Sequence, residues 1–77
     1  MPHVVVAMYP GRSEEVKRRL ADAIARDLIE IAGSSEASIS IAIEDVAANQ
    51  WTQRVWRPQI EPNMSALYRK PGYRPSE

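Results

Sequence analysis

The 77-residue sequence contains no cysteine and a single histidine, His3. No cysteine means no disulfide and no thiol nucleophile, and with one histidine there is no Cys/His set for zinc. Neither sign of charge is in excess: Lys+Arg and Asp+Glu stand at 10 each. Without a long basic run this balance argues against a nucleic-acid partner, and the locally basic "YRKPGYRP" is short. No apolar run is long enough to span a bilayer, and no charged leader with a cleavage site opens the chain. The expectation is therefore a cytoplasmic protein without a membrane partner. "PGRSEE" lacks the lysine and spaced glycines of a phosphate loop, and no Gly-x-Ser-x-Gly elbow is available for a serine nucleophile. No repeat or linker divides the chain, so residues 1–77 read as one domain. A chain this short buries little surface by itself, and with staples excluded, oligomerisation is the default source of further burial.

What is present reads as strand, long helix, strand. "HVVVAM" at 3–8 is apolar beyond its histidine and reads as a strand covered on both faces. Pro10 and Gly11 signal a turn. Ser13 is placed to cap a helix over 13–32, with Glu14 and Glu15 at the positive end of its dipole. Val16, Leu20, Ala23, Ile24, Leu28 and Ile31 form its apolar stripe, and Gly33 ends it. Glu14–Arg18, Glu15–Arg19, Arg18–Asp22, Asp22–Arg26 and Arg26–Glu30 stand four apart on the outer face, which reads as a solvated surface. "SISIAIE" then alternates, with Ile39, Ile41 and Ile43 on one side and Ser38, Ser40 and Ala42 on the other. This predicts a parallel β-α-β unit. Two strands leave edges and a face open, which calls for a second copy. Beyond them, Asn49 is placed to cap a short helix carrying Trp51, Val55 and Trp56, with Pro58 and Pro62 as interruptions. "NMSALYRK" offers a second short helix, and residues 71–77 read as a loose tail.

Two readings of Pro2 stand side by side. Proline at a strand start is structurally cheap, because its missing N–H is not needed there. Alternatively Met1 is removed, and Pro2 presents a free secondary amine held in place by its ring.

At this point the chain resembles the 4-oxalocrotonate tautomerase family of the tautomerase superfamily. The resemblance rests on Pro2 opening the first strand, Gly11-Arg12-Ser13 opening the helix, "SISIAI" as second strand, and Trp51 a few residues beyond. "SISIA", the Trp51/Trp56 pair, P-x-M-x-A-L at 62–67 and "KPGY" at 70–73 resemble its PptA-like branch. The resemblance covers nearly the whole chain. It implies an α/β (α+β) fold: one β-α-β unit plus short C-terminal helices, dimerising into a four-stranded sheet with helices on one face. It implies a cofactor-independent keto–enol tautomerase with no metal, in which the Pro2 amine moves a proton on an enolpyruvate-type or 2-hydroxydienoate substrate. Arg12 matches the family's carboxylate-binding arginine. Ser40 stands where the parent enzymes carry a second arginine, which favours an aromatic mono-carboxylate enol, such as phenylenolpyruvate, over a doubly charged dienoate. Trp51 is the expected apolar wall of the pocket, with Val6 and Met8. Arg54, Arg57 and Arg69 are alternative cations, and Tyr9, Tyr68 and Tyr73 further donors. His3 alternates away from Pro2 and reads as packing or surface. A homodimer is expected over a hexamer. Two competing readings keep the fold: a hydratase or dehalogenase of unsaturated acids, for which Glu44 and Asp45 are the nearby carboxylates, and a non-catalytic interaction module.

The chemistry needs no family to be stated. Tautomerisation takes a proton from one atom and returns it to another, best with a group titrating near ambient pH. An α-amine has a pKa of about 8, lowered by an apolar pocket and by nearby arginines.

Overall fold

The computed structural model describes residues 1–75. The chain falls into two compact units, the first Met1–Asp45 and the second from Val46 onward. Among the described residues no helix is long and apolar enough to cross a membrane.

The first unit is the β-α-β element: strand β1 (His3–Met8), helix α1 (Glu14–Glu30) and strand β2 (Ser40–Asp45), with a 3-10 turn at Glu36–Ser38 before β2. The strands pair in parallel, His3 opposite Ser40 and Met8 opposite Asp45. Ser13 caps α1, its Oγ accepting from the Val16 N–H at 3.2 Å, with Glu14 and Glu15 in the first turn. The helix closes short of residue 32. Gly33 takes φ 74°, a left-handed conformation that suits glycine, and lets the Ser34 N–H return to the Leu28 carbonyl at 3.1 Å.

Side chains alternate across the sheet. Val4, Val6 and Met8 share one face with Ile41, Ile43 and Asp45; His3, Val5 and Ala7 share the other with Ser40, Ala42 and Glu44. Lys17 identifies the face that α1 covers. Its Nζ reaches Asp45 Oδ2 at 3.0 Å and Glu14 Oε2 at 3.7 Å. The hydrogen bond to Asp45 raises the Lys17 pKa above the ordinary 10.5. Because the folded value lies above the unfolded one, this contact contributes fully at neutral pH and fades as pH climbs past the lysine range.

Two expectations are corrected here. β1 is not covered on both faces, for Val5 is 50% exposed and His3 is exposed. The apolar stripe of α1 is not buried at its ends, since Val16 and Ile31 are exposed and no residue of α1 is fully buried. Length explains this: 17 helical residues run about 25 Å, whereas six-residue strands run about 20 Å and two of them make a narrow platform. Among the described residues none of the five i,i+4 pairs on α1 closes into an ion pair. This suits a solvated face, where such pairs gain little.

The second unit is built from short helical pieces: a 3-10 turn at Ala48–Gln50, a π-type helix at Thr52–Ile60 and a 3-10 helix at Glu61–Ala66. Asn49 is not a cap; it lies inside the 3-10 turn, and no side chain caps the helix that follows. Pro58 does not interrupt that helix but sits within it. In an α-helix the Arg54 carbonyl would accept from residue 58, and proline has no N–H to give. Here the Gln59 side chain donates to that carbonyl instead, at 3.1 Å. Pro62 lies in the first turn of the last helix, where proline is tolerated, so that helix begins at Glu61 rather than after the proline. Lys70 Nζ caps its other end, donating to the Met64 carbonyl at 2.8 Å.

Among the described residues Val46, Val55 and Trp56 are the buried apolar ones. The Tyr73 ring packs on Trp56, with centroids 5.4 Å apart and planes at 53°, and its hydroxyl accepts from Trp51 Nε1–H at 2.9 Å. The expected loose tail from residue 71 therefore does not hold at Tyr73; Ser76 and Glu77 lie outside the described residues.

Candidate active site

Pro2 lies half-buried at the open start of β1, behind a fully exposed Met1. Its carbonyl accepts from the Ser40 N–H at 3.2 Å, the first rung of the parallel ladder. The proline is thus fixed by its ring, which locks φ, and by a backbone bond to β2. Ser40 and His3 form the next rung, and their side chains meet on the face away from α1: His3 Nδ1 and Ser40 Oγ are 2.6 Å apart. Both are exposed.

Arg12 lies at the other end of the unit. It sits in the turn after β1, and its Nη1 donates to the Tyr9 carbonyl at 3.3 Å. An extended strand advances about 3.3 Å per residue, so Met8 lies about 20 Å from Pro2 and Arg12 follows beyond it. One copy of the chain brings Pro2, Ser40 and His3 together and holds Arg12 away from them. The same arithmetic corrects two smaller expectations: Val6, about 13 Å along β1, and Met8 do not surround the Pro2 amine of their own copy. Glu44 and Asp45 also close the far end of β2, and Asp45 is engaged by Lys17.

In the second unit Trp51 is half-buried and tied to Tyr73. Of the alternative cations, Arg54 Nη1 donates to Gln50 Oε1 at 3.3 Å, Arg57 shares an open hollow with Thr52, Trp56, Glu61 and Arg74, and Arg69 is exposed.

Residues 2–57 match the family model described as "Tautomerase enzyme". The chain belongs to the tautomerase family. The match begins at Pro2. A probable tautomerase of Xylella fastidiosa (strain 9a5c) is 38% identical over 73 residues, covering 95% of this chain and 89% of that protein. Tautomerase PptA of Shigella sonnei (strain Ss046) is 39% identical over 74 residues, covering 95% and 97%. Among solved structures, YwhB, a homologue of 4-oxalocrotonate tautomerase, superposes with a TM-score of 0.59 at 36% identity, over 61% of this chain and 77% of that one. A 4-oxalocrotonate tautomerase isozyme from Methylibium petroleiphilum gives 0.61 at 26%, over 65% and 81%. This tautomerase is thus an isomerase of the PptA-like branch, and the non-catalytic reading is set aside.

Two contacts of the tautomerase are not legible in its sequence. His3 reads from the sequence as packing or surface, and it is the parallel register that sets it opposite Ser40. Tyr73, which reads in the sequence as part of "KPGY" and as a further donor, completes an aromatic cluster that joins residues 22 apart.

Proposed function

We propose that this tautomerase interconverts enol and keto forms of an enolpyruvate-type acid, phenylenolpyruvate being the representative substrate, with the Pro2 amine as the proton carrier. The observation that carries the reading is Pro2 itself: half-buried, fixed to β2 through its carbonyl, and preceded by one fully exposed residue that a processing enzyme can reach. With Met1 removed, the neutral amine takes the enol hydroxyl proton, and the resulting ammonium delivers a proton to the neighbouring carbon. Substrate and product are isomers and no cofactor is consumed.

The negative charge that develops on oxygen needs a donor, and the substrate's carboxylate needs a cation. We assign Arg12 as the cation and Ser40 as a hydrogen-bond donor that binds an anionic oxygen of the substrate in ground and transition state alike, with Trp51 as the apolar wall. Pro2 and Arg12 lie at opposite ends of the strand, which supports a site completed by a second copy, in a homodimer whose partner also covers the open face of the sheet. Residues 1–77 then act as one functional domain, in the cytoplasm. The second strand offers no cation beside Pro2, which favours an aromatic mono-carboxylate over a dicarboxylate.

The test is complementation. Pro2→Ala and Arg12→Ala should each be weak in ketonisation of phenylenolpyruvate, followed by its ultraviolet absorbance, the arginine variant chiefly through a raised KM. Co-refolding the two should restore roughly a quarter of wild-type sites, as random pairing in a two-fold dimer dictates. Additive weak activities after mixing would mean that Pro2 and Arg12 do not share a site across copies.

A further inference from the structure

We infer that His3 is a positioning residue that turns the Ser40 hydroxyl outward as a donor to the substrate's anionic oxygen. The inference rests on the proposed enol chemistry at Pro2 and names a residue for that site. Its basis is the rung His3–Ser40: directly opposite in register, on the face away from α1, 2.6 Å between Nδ1 and Oγ, and both exposed. The preceding rung is the bond from Ser40 N–H to the Pro2 carbonyl.

A hydroxyl has one hydrogen to give. If the His3 Nδ1 carries a lone pair, Ser40 donates to it and shows only lone pairs to a ligand, which repel a carboxylate or enolate. If Nδ1 carries a hydrogen, it donates to Ser40 Oγ, and the serine hydrogen is released to point outward. An anion interacts differently with these two states and therefore selects the second. Of the charged side chains of the first unit, Glu36 stands four residues before Ser40, in the 3-10 turn that leads into β2. Val5, Ala7 and Ala42 share the face and are neutral, Glu44 is about 13 Å along β2, the charges of α1 lie across the sheet, and the Pro2 amine is on the adjacent residue. His3 and Ser40 together thus present a polarised donor in a place where one serine alone would be ambivalent.

The experiment has a kinetic and a spectroscopic arm. His3→Phe, which cannot donate, and Ser40→Ala should each raise KM for phenylenolpyruvate about tenfold with a smaller change in kcat, as loss of a hydrogen bond to an anion dictates. The double variant should be no worse than Ser40→Ala. His3→Asn, whose amide N–H stands where Nδ1–H stood, should restore KM to within about threefold of wild type. Independently of turnover, nitrogen NMR of His3 should show Nδ1 becoming the protonated nitrogen as phenylpyruvate is added to wild type, and not in Ser40→Ala. An unchanged KM in His3→Phe overturns the inference. So does a His3 Nδ1 that does not move on adding phenylpyruvate, whether the acid binds elsewhere or not at all. Failure of the Pro2 chemistry reads out separately, as equal turnover by wild type and Pro2→Ala.

Discussion

Pro2→Ala is expected to lower kcat/KM for phenylenolpyruvate about a hundredfold, even though alanine, once Met1 is removed, still offers an α-amine. What it loses is position. The proline ring fixes φ and removes one rotation about the nitrogen, and the carbonyl of the same residue is held by Ser40. A primary amine on a free rotor spends most of its time away from the reacting atoms, and misplacement of about 1 Å can cost that factor. A chain that keeps Met1 should lose the whole contribution of a placed base, about two to four orders of magnitude, because its Pro2 nitrogen is an amide. Intact mass separates the two cases before any rate is measured. Equal rates in wild type and Pro2→Ala would remove the proline from the chemistry.

Trp56→Ala is expected to cost about 3–5 kcal/mol of folding free energy, read from urea denaturation. Trp56 is only 8% exposed, in a unit whose other buried residues are Val46 and Val55. Its removal takes away the surface on which Tyr73 packs at 5.4 Å. Small domains hold about 5–15 kcal/mol in total, so the loss is a large share. Trp51→Phe is the contrast: it keeps a ring but gives up the N–H donated to the Tyr73 hydroxyl, and should cost about 1 kcal/mol, since both partners reach solvent. A Trp56→Ala protein with the wild-type midpoint would mean that the aromatic cluster does not hold the second unit.

The β-α-β unit was legible because its signals are local. Valine-rich "HVVVAM", the Ser13 cap, the stripe on α1 and the alternation of "SISIAIE" each follow from neighbours a few residues apart. The second unit was harder to read. Pro58 looks like a helix breaker, yet the helix runs through it in π-type form, with the Gln59 side chain donating to the Arg54 carbonyl. The tail reads as loose because nothing near Tyr73 in sequence announces that Trp51 and Trp56 hold it. At the site, Pro2, Arg12, Ser40 and Trp51 were named from their residues and from resemblance, but their spacing in three dimensions was not. Strand length separates Pro2 from Arg12, and register brings His3 to Ser40. The second is a product of pairing between residues 37 apart, which periodicity alone does not fix.

The central claim is that Pro2 carries a free amine that is substantially uncharged at neutral pH. Nitrogen NMR of the mature protein, titrated from acid to alkaline solution, tests it most directly. The account predicts an amine signal for Pro2 with a midpoint at or below about pH 7, below the value of about 8 of an ordinary α-amine. A midpoint of about 8 or higher, or a Pro2 nitrogen that is an amide because Met1 is still attached, would contradict it.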